Sequence, residues 1–100
     1  MYVAAEIQMV PVGTESSLTK YIAKCKEVFD RWGIKYEMHA MGTNFVAKYE
    51  DVMKIGQECI QAVLDSGAPR VVVNFKISAR RDKDICEEGD GAEKVKHYGK

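Results

Sequence analysis

Alternation opens the chain. Between Tyr2 and Val12, Val3, Ala5, Ile7 and Met9 fall on one side of an extended segment and Ala4, Glu6, Gln8 and Val10 on the other. That period predicts a strand with one dry face and one mixed face. After Pro11 and a Gly13-Thr14 turn the period changes: Leu18, Tyr21, Ile22, Cys25, Val28, Phe29 and Trp32 recur at intervals of three and four, with Lys20, Lys24, Lys26, Glu27 and Asp30 opposite. This is the pattern of an amphipathic helix, and Gly33 stops it.

Ile34, Tyr36, Met38 and Ala40 then alternate with Lys35, Glu37, His39 and Met41, predicting a half-buried strand. A turn over Met41-Gly42-Thr43-Asn44 and a short returning strand from Phe45 to Lys48 complete a hairpin. A second helix is expected from about Glu50 to Ser66. Its apolar stripe is Val52, Ile55, Cys59, Ala62, Val63 and Leu64, with Gly56 on the same face, where a small residue admits close approach to a sheet. In the run Arg70 to Ser78, Val71, Val73, Phe75 and Ile77 oppose Val72, Asn74 and Lys76, which predicts a final strand. Beyond it a charged run, Arg80 to Asp84, leads into an acidic, glycine-containing stretch and a short helical turn between Ala92 and Tyr98. The chain thus divides into a domain over residues 1–84 and a charged C-terminal tail over 85–100.

The order β-α-β-β-α-β, with right-handed crossovers, selects an α+β ferredoxin-like sandwich: a four-stranded antiparallel sheet with both helices on one face. Two helices shield a single side of the sheet. The other side is expected to carry Glu6, Gln8, Val10, Glu37, His39, Met41, Val72, Asn74 and Lys76, with Val46 there if the hairpin keeps that register. Such a mixture suits contact with another subunit, a ligand, or both.

Composition narrows the function classes. At 100 residues one thin core is available, burying roughly 60 to 70% of the chain's surface. Fifteen basic and fifteen acidic residues cancel, so no long-range field gathers nucleic acid or an anionic membrane. No stretch reads as a signal peptide or as the ~20 apolar residues of a membrane span. Three cysteines, an odd number without a CxxC pair, suit a reducing compartment, and the protein is read as soluble and cytoplasmic.

Catalytic patterns are weak. His39 and His97 lack the neighbouring carboxylate or thiol spacing of a zinc site. Ser16, Ser17 and Cys25 have no base within visible reach. An anion loop with an arginine after the first strand, as in acylphosphatase-like enzymes, is missing from Pro11-Val12-Gly13-Thr14-Glu15-Ser16-Ser17. Ser16 or Ser17 is expected to accept the early helix N–H groups as an N-cap, worth about 1 kcal/mol. Thr14 and the other serine are left over.

The segments AAEIQMVPVGTESSLTKYIA, IKYEMHAMGT, AVLDSGAPRVVV and FKISARRDKD, in this order, resemble the small thiamine-binding protein family, from about Val3 to Asp84. The resemblance implies a ferredoxin-like subunit that assembles through its sheets into a homodimer or homotetramer. It also implies non-catalytic binding of thiamine or a related pyrimidine, with no cofactor, no nucleic acid and no membrane partner. One position departs from the family pattern: Val46 stands where many relatives have a glutamate. Facing direction and resemblance together nominate Gln8, Thr43 and Asn74 as hydrogen-bonding residues, Glu6 as the charge, Val46 as apolar wall, and Thr14 and Ser16 as one edge of a ligand site at the subunit junction. The alternatives are a structural or regulatory interaction module without a ligand, and an enzyme acting on a phosphorylated or small carbonyl substrate.

Overall fold

A computed structural model describes residues 1–13 and 18–82. The elements follow the expected order: β1 (Tyr2–Val12), α1 (Thr19–Trp32), β2 (Tyr36–His39), β3 (Gly42–Lys48), α2 (Tyr49–Asp65) and β4 (Arg70–Ser78). The strands form one antiparallel sheet in the order β2-β3-β1-β4, the ferredoxin-like arrangement. Residues 83–100, and with them the domain boundary and the tail, lie outside the described residues, as do Thr14 to Ser17.

One core joins both helices to one sheet face. Val3, Ala5 and Ile7 of β1 and Phe45 and Ala47 of β3 meet Tyr21, Cys25, Val28 and Phe29 of α1 and Val52, Ile55, Cys59 and Val63 of α2. Phe29 sits at its centre, its ring centroid 5.2 Å from Tyr36 and 5.1 Å from Phe45, within the range of favourable aromatic pairing. Gly56 faces the sheet as expected: a Cβ there would lie 2.4 Å from the Phe75 ring, so the absent side chain sets how closely α2 approaches β4. Gly33 closes α1 in the left-handed conformation, its N–H donating to the Phe29 and Asp30 carbonyls.

Some details differ from the expected pattern, and β2 is shorter, Tyr36–His39. The hairpin turn is Ala40-Met41, and β3 begins at Gly42 rather than at Phe45. Met41, expected on the open sheet face, is therefore a turn residue, 66% exposed. The N-cap position of α1 is Leu18, whose side chain cannot cap; its carbonyl accepts from the Tyr21 and Ile22 N–H groups. The apolar stripe of α1 is also narrower than the pattern implied, because Leu18 and Ile22 stay half exposed.

Candidate functional site

On the open sheet face the register brings side chains into transverse rows. Glu37 lies opposite Asn44, Asn44 opposite Glu6, and Glu6 opposite Lys76, so one row crosses all four strands. Next to it, Gln8 lies opposite Asn74 and accepts a 2.9 Å hydrogen bond from the Asn74 amide. Val46 lies opposite Ala4. Four nominated residues, Glu6, Gln8, Val46 and Asn74, thus share this face.

His39 organises the β2 side of it. Its Nδ1 accepts from the Met41 N–H at 3.3 Å, which assigns the proton of the neutral ring to Nε2. Nε2 then points at Asn44 Oδ1, 3.1 Å away, and Glu6 Oε2, 3.5 Å away. These polar groups satisfy one another.

Thr43 is not with them. Because β3 starts at Gly42, Thr43 has the parity of Phe45 and Ala47 and turns towards the helices, opposite Ile7 and Met38. In a single strand Thr43 and Val46, three positions apart, cannot share a face. Thr43 is 8% exposed and is the one buried polar residue among those described. Its hydroxyl has no hydrogen-bond partner among the described residues.

The space beside it is a cavity of about 280 Å³ under the first turns of α1. It exists because β1 has 11 residues and β3 only 7. Pairing between them ends at Ile7 and Thr43, while β1 continues to Val12 alongside β4 alone. Past the hairpin β1 is an edge on one side, which is also why Pro11, lacking an N–H, is tolerated in a strand that is otherwise central. Walls come from Ile7, Met9, Phe29 and Met38, the hairpin end supplies His39 to Thr43, and α1 supplies Leu18, Tyr21, Ile22 and Cys25. Thr14 and Ser16 lie outside the described residues, between Pro11 and Leu18, both of which line this cavity.

Sequence reasoning missed Tyr21. It is 3% exposed, lines the same cavity, and its hydroxyl also lacks a partner among the described residues. The available signal was a tyrosine, with its polar tip, on the apolar stripe of a helix. Buried hydroxyls are ordinarily hydrogen-bonded, so two unpartnered ones lining an apolar cavity mark where a polar molecule fits. Among the described residues no carboxylate, lysine or arginine lines the cavity. Lys20, which lines the separate groove between α1 and α2, holds its Nζ 5.1 Å from the Tyr21 ring centroid.

Cys25 touches the cavity from the core side and neighbours Cys59; both are free thiols. The hydrogen bond with Cys25, reinforced by burial, pushes the Cys59 thiol well above its ordinary range, so it stays protonated at neutral pH. Among the described residues no cluster of His, Cys, Asp or Glu could hold a metal ion, and no helix is long and apolar enough to cross a membrane. A shallower groove of about 550 Å³ between α1 and α2 is lined by exposed charged side chains, among them the pairs Lys24 with Glu27 and Arg31 with Glu58, and, among the described residues, by no buried hydroxyl.

Comparison with known proteins agrees with this architecture. Residues 5–98 match the model of a family described as thiamine-binding protein. A UPF0045 protein of Methanocaldococcus jannaschii is 37% identical over 82 residues, covering 82% of this chain and 81% of that protein. One from Synechocystis is 34% identical, covering 83% and 69%. The crystal structure of the M. jannaschii protein superposes with a TM-score of 0.78 at 35% identity, over 98% of this chain and 96% of that one. A Thermotoga maritima protein, described as a candidate in thiamine biosynthesis or salvage, has the same fold, with a TM-score of 0.71 at 23% identity over 97% and 99% of the two chains. The match to the family model over nearly the whole chain, together with these relatives, means that this chain belongs to the thiamine-binding protein family.

Proposed function

We propose that the protein binds a small heteroaromatic ligand of the thiamine or pyrimidine type without transforming it, in the cavity between α1 and the β2-β3 hairpin. Subunits of a homodimer or homotetramer would pack through the open sheet face. The observation that carries the binding reading is the pair of buried, unpartnered hydroxyls of Thr43 and Tyr21 in an apolar cavity of about 280 Å³. That volume is near the lower end of the roughly 300–1,000 Å³ of small-molecule sites. Family membership supplies the ligand class. Glu6, Gln8, Val46 and Asn74 would then belong to the subunit junction rather than to the ligand: Gln8 and Asn74 pair with each other, Glu6 pairs with His39, and Val46 is apolar. The free thiols Cys25 and Cys59 suit a reducing, cytoplasmic setting.

Calorimetric titration with thiamine is the test. Heat of binding that vanishes in Thr43→Val and Tyr21→Phe, and persists in Asn74→Ala, is the expected result. Silence at millimolar ligand would favour the second reading, an interaction module without a ligand. That reading draws on the pairing of Gln8 with Asn74 and of His39 with Glu6 and Asn44, which engages these polar groups without a ligand.

A further inference from the structure

Resting on that binding reading, we infer that the main chain of Met9, an open strand edge beside the cavity, reads the ligand: its N–H donates to a ring nitrogen and its carbonyl accepts from a neighbouring amino group. The ligand class is then a flat heteroaromatic ring with that acceptor beside that donor, the aminopyrimidine edge of thiamine included.

In an antiparallel strand the N–H and C=O of one residue project to the same edge, and the edge alternates from residue to residue. Two observations fix which residues of β1 are directed at β3. A Cβ on Gly42 would lie 2.7 Å from the Ile7 carbonyl oxygen, so the Ile7 main chain points to the β3 side. Pro11 lies opposite Val71 within the β1-β4 ladder, which a residue without an N–H permits where that group would face away from β4. Ile7, Met9 and Pro11 share one parity, and pairing with β3 ends at Ile7 and Thr43. Met9 is next in line, so its N–H and C=O turn to the side that β3 has vacated, where it lines the cavity between Gln8 and Val10.

The same register would set Met41 opposite Met9, but Met41 is a turn residue and gives its N–H to His39 Nδ1. Among the described residues no backbone bond from the turn reaches Met9. Pro11 offers a carbonyl alone, which leaves Met9 as the residue of β1 beyond the hairpin with both groups on this edge. A ring that carries an acceptor beside a donor takes the place of the missing β3 residue and continues the ladder. The Thr43 and Tyr21 hydroxyls remain for its other polar atoms.

The full chain, labelled with nitrogen-15, is titrated with thiamine and with 4-amino-5-hydroxymethyl-2-methylpyrimidine while amide shifts and hydrogen exchange are followed. At saturation with either ligand the Met9 amide proton moves downfield and its exchange slows by roughly tenfold or more. Met9→Pro, which deletes the N–H in the parity that already accommodates Pro11, weakens both ligands roughly tenfold, as does removal of the amino group from the pyrimidine. Proline also stiffens the strand, so the amide readout on the unmodified chain decides. Saturable binding that leaves the shift and exchange of the Met9 amide unchanged overturns the inference and leaves the binding reading standing. Failure of both ligands to bind at millimolar concentration removes the binding reading, and the inference with it.

Discussion

Phe75 occupies the space that a methyl group on Gly56 would need. Gly56→Ala gains about 1 kcal/mol of helix propensity but forces an overpacked contact that costs about 1–3 kcal/mol, so a net loss of about 1 kcal/mol is expected in urea denaturation. In a Phe75→Leu background the clash is relieved and the same substitution becomes stabilising. A second residue-scale case is Asp30. The Tyr36 hydroxyl, donating at 2.6 Å, and then Lys26 at 2.9 Å hold its carboxyl below the usual carboxylate range. A depressed carboxylate contributes stability above its unfolded pKa and loses it as pH falls through the folded one, so this contribution disappears only on strong acidification. Carbon-13 NMR titration should place the Asp30 midpoint below that of an unperturbed aspartate, and Tyr36→Phe should move it up.

The β2-β3 hairpin is the element on which the cavity depends. Gly42 opens β3 at φ +153°, and a Cβ there would lie 2.7 Å from the Ile7 carbonyl oxygen, a backbone atom that cannot step aside without breaking the β1-β3 ladder. Gly42→Ala is expected to cost roughly 1–3 kcal/mol, read as a fall in the urea midpoint at unchanged slope. The contact between α1 and α2 yields another prediction. Cys25 and Cys59 are 5% and 0% exposed there, so a reagent in solvent reaches neither in the native fold. In a Cys86→Ser background the native protein should leave a thiol reagent such as Ellman's essentially unconsumed, and two equivalents should react on unfolding. Prompt reaction of either thiol in the native state would contradict this burial.

At the scale of the whole molecule the open sheet face is organised by charge. In the row that crosses it, Glu37 stands on β2 at one edge and Lys76 on β4 at the other. A two-fold axis running along the strands, between two sheets packed face to face, would set each Lys76 against the partner's Glu37. Val10, Val72 and Val46 on the same face add apolar area to a contact of about 800 Å² per subunit. Sedimentation equilibrium should show Lys76→Glu weakening self-association by about tenfold, with recovery in the Glu37→Lys, Lys76→Glu double variant. Dissociation constants indifferent to both changes would place the junction elsewhere.

How far the chain could be read in advance follows from which signals are local. Side-chain period is local: two residues per repeat separated Val3, Ala5 and Ile7 from Glu6 and Gln8, and 3.6 per turn put Gly56 on the sheet-facing side of its helix, so element order, fold class and open face were all legible. The family was legible too, from the turn and strand segments that carry the resemblance. Strand ends are not local. Whether β3 opens at Gly42 or at Phe45 depends on how far its pairing with β1 extends, and those few positions carry Thr43 from a presumed turn on the ligand rim into the helix-covered interior. A cavity is still less local, since it requires a long strand outrunning a short hairpin while a helix crosses above the gap. Periodicity along the chain could therefore name the layers and their faces. That Thr43 and Tyr21 meet in one unfilled space depended on strand pairing and helix packing, which join residues far apart in sequence.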